Sequence, residues 1–356
     1  MKHTVVITGA AGYVGTMLVR KFAAREDVER IIGIDKEPVP DLIKDEPKLV
    51  YLEMNTADEW EGKVQEYTPD LVIHAAWQIR EIYGNRPLTW KWNIEGSDKV
   101  FEFCFANDFV KRLVHFSSVA SYGSFADNSV DHFFTEEEPF RKSEYLYAEE
   151  KRIAEEHLKE RYEKRANTDI QVSIVRPAAI TGPRGRFMRI RFGLQAALSG
   201  TLKGERSFVY NIISLLVAWV PVTEKWLRQF IHEDDVVGIV ERLTFGEKVP
   251  GYEVFNICPP GDVVRGKDMA RAVGKRSFPI HPWLVRVGYF MFWHLTRGKV
   301  PTAPGAWRGY SYPIAVDGSK VTRMLGYTYK YPGFDAFYYT NGEYEEFVPN
   351  ELRRSK

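Results

Sequence analysis

The run TGAAGYVG over residues 8–15 constrains this chain more than any other segment. It follows the short apolar stretch VVI and opens a stretch that sets Val14, Leu18 and Phe22 on one helical face. A strand that turns through glycines into a helix is a phosphate cradle. Gly9 allows the tight turn, Gly12 lets a pyrophosphate approach backbone, and Gly15 lets the helix pack closely on the sheet. Amides at the helix start, with the positive end of the helix dipole, hold the phosphates. The expected cradle is Gly9, Gly12, Tyr13, Val14 and Gly15. Asp35 closes the next apolar run, 20 residues past Gly15. A carboxylate there accepts hydrogen bonds from ribose hydroxyls and repels a 2′-phosphate, which points to NAD over NADP. Lys36 is a neighbouring cation that softens the repulsion.

The rhythm of the first half agrees. Residues 3–7, 30–34, 49–54, 71–75, 112–116 and 170–175 read as strands. Residues 13–24, 59–66, about 90–107 and about 144–164 read as helices between them. Strands alternating with helices imply an α/β chain with a Rossmann-type doubly wound parallel sheet. After Pro177 the alternation is lost, and segments 230–240 and 252–257 read as returns to the first domain. The expected division is a dinucleotide-binding domain over 1–176 plus about 228–257. A smaller, discontinuous C-terminal substrate lobe takes 177–227 and about 258–345, with the active site in the cleft between them.

Bulk properties exclude several classes. A net charge of +1 over 356 residues gives no general attraction to nucleic acid. Cys104 and Cys258 are too few for a disulfide framework and lie in no CxxC, which suits a reducing, cytoplasmic setting. The first residues do not read as a signal peptide, and no uncharged run reaches the length of a membrane span. Two runs come nearest: residues 208–222, free of charge, and 277–296, which carry Arg286. Both read as buried walls of a substrate pocket; the alternative is a monotopic membrane contact.

A second constellation is Ser118, Tyr147 and Lys151. Residues four apart share a helix face, so Tyr147 and Lys151 point the same way. A phenol titrates near pH 10. A nearby ammonium and a positive nicotinamide ring are expected to lower that value, so that Tyr147 exchanges a proton with a substrate alcohol or carbonyl. Ser118, at the end of the fifth strand, is placed to hydrogen-bond the same oxygen. Tyr-x-x-x-Lys alone is common on helices. Its combination with Ser118 and the glycine loop gives it weight.

These residues resemble the extended short-chain dehydrogenase/reductase family, the NAD-dependent epimerase/dehydratase group. The likeness includes TGAAGYVG, the Asp35 strand end, HAAW at 74–77, Asn93 in WNIEGS, SSVASYG at 117–123 and YAEEK at 147–151. It continues through RPAAITGPR at 176–184, RQFIHEDDVV at 228–237 and VDGSKVTRMLGY. The resemblance implies that Asn55 stands where an Asp usually contacts adenine, with its amide oxygen doing that work. It places Thr56, Ala75, Ala76, Asn93 and Ser117 along the cofactor, has Lys151 bind the nicotinamide ribose, and has Pro177, Ala179 and Ile180 flank the nicotinamide. It also implies a homodimer through the helices around 93–107 and 147–164.

Departures bear on the substrate. Ala179 stands where sugar-nucleotide epimerases carry an Asn that holds the diphosphate, and Val119 and Ala120 replace the acidic pair of dehydratases. The RPAAITGP form is more similar to reductases acting on apolar substrates. Arg184, Arg186, Arg189 and Arg191 crowd one segment, and Arg228 stands where family members often contact phosphate. Arg184, Arg186 and Arg228 are therefore candidate substrate residues, with a solvated basic face as the bland reading. His74 and His232 read as structural, and no metal site is expected. Three functions remain: an NAD-dependent oxidoreductase acting on a secondary alcohol or ketone, an NAD-retaining epimerase of a nucleotide sugar, and a non-catalytic NAD-binding scaffold.

Overall fold

The computed structural model describes residues 2–184, 219–247, 249, 251–261, 263–272, 276–338 and 341–348. Its centre is a seven-stranded sheet in which every neighbour pair is parallel. The strands are β1 (His3–Thr8), β2 (Val28–Asp35), β3 (Leu49–Glu53), β4 (Leu71–His74), β5 (Arg112–Phe116), β6 (Gln171–Pro177) and β11 (Tyr252–Ile257). Their spatial order is β11-β6-β5-β4-β1-β2-β3. The β-branched runs VVIT and LVIH form central strands because a sheet covered on both faces needs apolar side chains on both.

One face carries α1 (Tyr13–Ala23) and α6 (Glu233–Phe245), which bury Met17, Leu18, Phe22, Val236 and Val240. The other carries α4 (Gly96–Ala106) and α5 (Leu146–Glu163), which bury Val100, Phe101, Cys104 and Leu158. Arg176 on β6 and Glu155 on α5 form a buried ion pair at 2.6 Å, completed by the Tyr122 hydroxyl 2.6 Å from the guanidinium. Strand order reverses between β1 and β4, so the loops after Thr8 and His74 part there and leave a crevice.

The helix expected over 90–107 is three pieces: α3 (Arg86–Trp90), a π-helical turn at Lys91–Glu95, and α4. The shorter α2 (Glu61–Gln65) lies where 59–66 was expected.

Beyond β6 the strands are short. β7 (Ala179–Thr181) pairs in parallel with β10 (Phe230–His232), β8 (Trp219–Val222) in parallel with β13 (Arg276–Pro279), and β9 (Leu227–Arg228) antiparallel with β12 (Val264–Arg265). Helices α7 (Gly266–Ala272), α8 (Pro282–Leu295), α9 (Ala306–Gly309), α10 (Ser319–Leu325) and α11 (Gly333–Tyr338) complete this part. The reading of 277–296 as a buried wall is corrected: α8 buries Trp293 and leaves most of its apolar side chains in solvent. Among the described residues no helix is long and apolar enough to cross a membrane.

Candidate active site

The glycine loop is built as its residue types require. Gly9 adopts φ +74°, and a Cβ there would lie 2.7 Å from the Ala76 nitrogen. A Cβ on Gly15 would land on the Gly9 carbonyl oxygen, which itself accepts the Gly12 amide at 2.9 Å. The N-cap of α1 is Gly12, with no side-chain cap and no acidic residue in the first turn. An uncapped helix start behind a glycine turn fits a pyrophosphate. Asp35 accepts the Ala11 and Glu37 amides at 3.0 Å each, which ties the glycine loop to the end of β2. Burial raises its pKa above the usual carboxylate value. Lys36 is engaged by Glu37 at 2.6 Å and lies over the Trp92 ring. These groups fit the diphosphate and ribose of a dinucleotide.

A buried relay, not foreseen from sequence, braces the opposite wall. Thr8 Oγ1 donates to His74 Nδ1 at 2.7 Å, and His74 Nε2 meets Ser97 Oγ at 2.8 Å. Ser97 donates onward to the Asn93 carbonyl. One tautomer satisfies every link, with the His74 proton on Nε2. Burial, with the Lys151 charge, lowers the His74 pKa to about 3, so the ring is neutral. The Thr8 hydroxyl also accepts the Ala76 amide at 3.2 Å, which sets the loop of Ala75 and Ala76. The structural reading of His74 therefore carries a positioning task beside the crevice.

Asn93 sits in the π-helical turn. Its Oδ1 accepts the Gln78 amide at 2.7 Å, and its Nδ2 donates to the Gln78 carbonyl at 3.1 Å and to Glu150 at 2.6 Å. Burial raises the Glu150 pKa to about 7. Asn55 Oδ1 accepts the Ala57 amide at 2.9 Å and closes a local turn. Thr56 is buried beside it, and its carbonyl accepts the Trp60 indole at 2.9 Å.

Ser118, Tyr147 and Lys151 converge from β5 and α5. Ser118 caps a short 3-10 turn by accepting the Ala120 amide at 3.2 Å, and the Tyr147 side chain lies near it. Lys151 donates to the Phe116 carbonyl at 2.5 Å and lies 3.4 Å from the centre of the Trp77 ring. The expected lowering of the phenol is corrected. Desolvation raises the Tyr147 pKa, with the nearby Ser118 hydroxyl acting against the shift. Lys151 does not contribute because it is turned toward Phe116 and Trp77, and its own pKa is lowered by burial. Ser117 is buried next to Ser118, with its amide on the Val175 carbonyl at 2.8 Å. Pro177 ends β6 opposite Ile257, and Ala179 and Ile180 pair with Phe230 and Ile231.

Two candidate substrate arginines are held by the chain itself. Arg184 donates to Thr16 Oγ1 at 2.9 Å and to the Tyr13 carbonyl at 3.2 Å, which places it against the start of α1. The Tyr13 hydroxyl donates to Glu233, whose carboxylate also accepts the Arg184 amide at 3.2 Å. Arg228 donates to the carbonyls of Leu227, Gly309 and Tyr312. Burial lowers its pKa to about 10, with Tyr310, Tyr289 and Tyr145 acting against the shift. Arg186 lies outside the described residues. His232 caps α6 by accepting the Asp234 amide at 3.2 Å, a structural role.

The model of the NAD dependent epimerase/dehydratase family matches residues 5–258, so the chain belongs to that family. Uncharacterised proteins of Mycobacterium tuberculosis and Mycobacterium bovis are 24% identical over 339 residues, spanning 94% of this chain and 82% of theirs. Among solved structures, the Bordetella bronchiseptica enzyme WbmG with NAD and UDP is similar at TM-score 0.69 and 19% identity, over 99% of this chain and 97% of that one. The UDP-glucose 4-epimerase of Thermus thermophilus with NAD is similar at TM-score 0.66 and 18% identity, over 95% and 97%. The dTDP-glucose 4,6-dehydratase of Bacillus anthracis with NAD is similar at TM-score 0.67 and 16% identity, over 98% of both chains. At these identities the likeness to solved structures is one of fold.

Proposed function

We propose that this NAD-dependent enzyme transfers hydride at a secondary alcohol or ketone carbon through Ser118, Tyr147 and Lys151. The supporting observation is that α5 brings Lys151 onto the end of β5, where it donates to the Phe116 carbonyl at 2.5 Å beside Ser118, at the sheet end that also carries the glycine cradle. NAD, when bound, supplies the hydride acceptor and a positive ring that favours phenolate. Tyr147 then takes the alcohol proton in oxidation or returns one in reduction, while Ser118 holds the substrate oxygen in line. Lys151 binds the nicotinamide ribose and orients the ring. Asp35 favours NAD over NADP.

An uncharged substrate suits the wall around Arg228, because that guanidinium is already satisfied by backbone carbonyls and enclosed by tyrosines. Ala179, where an Asn would hold a diphosphate, agrees with it. A second reading, an epimerase of a nucleotide sugar, is favoured by the family and by the resemblance to the UDP-glucose 4-epimerase fold. There the same hydride returns to the other face and the cofactor stays bound.

Absorbance of NADH during incubation with NAD and a panel of secondary alcohols separates the two. Steady accumulation supports the oxidoreductase. Cofactor that copurifies and shows no net reduction, with UDP-sugar interconversion, supports the epimerase. A discontinuous C-terminal substrate lobe over 177–227 and about 258–345 belongs to this reading, as does a homodimer through α4 and α5. Light scattering checks the second. Both cysteines are buried and free, which suits a reducing, cytoplasmic setting.

A further inference from the structure

We infer that the outer face of α8 docks on an anionic phospholipid bilayer, with the helix lying in the headgroup plane. The inference is independent of the reaction proposed above. Helical spacing places Trp283, Leu284, Val287, Phe290, Met291 and Leu295 on one side of α8. Each is exposed: Leu295 is 76% accessible, Phe290 65% and Trp283 60%. Isolated exposed apolar residues are ordinary, but a contiguous face of this kind marks an interaction surface. The opposite side of the helix buries Trp293 and sets Tyr289 against Tyr310, with ring centres 5.4 Å apart.

Charge identifies what covers the face. Between Asp268 and Asp317 the sequence holds seven Lys or Arg and no Asp or Glu. The chain as a whole nets only +1, so this positive field is local. Arg286 is exposed on α8, and Arg297 and Lys299 are exposed just beyond its C-terminus. Among the described residues these three make no ion pair. A two-fold contact with a second copy would set the same cations against themselves, which opposes self-association. An anionic lipid surface complements both features, taking the apolar side chains below the headgroups and the cations among the phosphates. β8 pairs with β13, and β13 leads into α8; most of the uncharged run 208–222 lies outside the described residues. The helix is 14 residues long, so it lies on a membrane rather than across it.

The inner side of α8 reaches the catalytic wall. Tyr289 packs on Tyr310 at 5.4 Å, the neighbouring Gly309 carbonyl accepts Arg228, and the Tyr145 and Tyr147 rings are 5.7 Å apart. Docking thus sets the substrate side of the site next to the lipid.

Flotation of the full chain with vesicles tests this. With phosphatidylcholine vesicles containing about a third phosphatidylglycerol, the protein is expected to bind at least about ten-fold more tightly than with phosphatidylcholine alone, and high salt should weaken the difference. The double variant Phe290→Glu, Leu295→Glu should lose about ten-fold or more of that binding with unchanged thermal unfolding, because both side chains are exposed. Arg297→Gln with Lys299→Gln should lower the preference for the anionic vesicles. Wild-type protein that stays with the lipid-free fraction overturns the inference, as does equal binding by the Glu variant. A wild-type dimer that the Glu variant dissociates, with no vesicle binding, assigns the face to a second copy and overturns it too.

Discussion

At the scale of single residues, the site depends on where one phenol oxygen sits and what it touches. Tyr147 is raised in pKa by its own burial, with Ser118 acting against the shift. Tyr147→Phe removes the proposed acid/base group and little volume. The expected result is a loss of about two or more orders of magnitude in kcat with NAD affinity near wild type, read by stopped-flow turnover and cofactor titration. Glu150 gives a test in pH. Burial lifts it from the ordinary 4.5 to about 7. Between those values the folded state keeps a proton that the unfolded chain has released. Its contribution to stability is therefore full in acid and is lost as pH rises from about 4.5 to about 7. Glu150→Gln keeps an acceptor for Asn93 and abolishes the titration. Urea unfolding at about pH 5 and about pH 7.5 should show a fall in stability smaller than wild type by roughly 1–3 kcal/mol. An identical fall in both proteins removes Glu150 as a titrating group.

At the scale of elements, strand, turn and helix meet too closely in the glycine loop for any other residue. Gly15→Ala puts a methyl onto the Gly9 carbonyl and 2.8 Å from the Ala10 Cα. The turn must open, at a cost of about 1–3 kcal/mol, and the amides at the helix start lose their common aim. Thermal unfolding should drop, and isothermal titration should show NAD affinity reduced by about ten-fold or more. The π-helical turn at Lys91–Glu95 works in the other direction, by adding a residue to a helix. Helical periodicity over 90–107 correctly indicates helix. It carries no sign of the widened turn, because that turn answers the hydrogen bonds from Asn93 to Gln78 and Glu150, which come from distant segments.

At the scale of the whole molecule, the Asp235 carboxylate of α6 gathers residues 327–331 of the C-terminal segment, while Asp234 accepts the Glu343 amide at 3.1 Å. Asp235 is fully buried and accepts the Tyr327 hydroxyl at 2.9 Å, the Lys330 amide at 2.7 Å and the Tyr331 amide at 3.2 Å. Asp235→Ala leaves those donors without their acceptor. The expected cost is roughly 2–4 kcal/mol in denaturant unfolding, with faster hydrogen exchange at residues 327–331 before the central sheet opens. Unchanged exchange there would show that other contacts hold the segment.

The parallel sheet, the glycine turn into α1 and the place of Asp35 at the end of β2 were legible in the residues themselves. Each rests on local spacing: a period of two or 3.6, or a glycine that a turn requires. Tertiary packing alone decided what each polar group does. It turned Lys151 toward Phe116 and Trp77, closed Asn55 onto Ala57, and set Arg184 against α1 and Arg228 among tyrosines. It also left α8 facing outward where an apolar run reads as core. Hydrogen-bond partners and burial come from residues far apart in the chain, so spacing places a side chain on an element while only the folded neighbours fix its charge and its use.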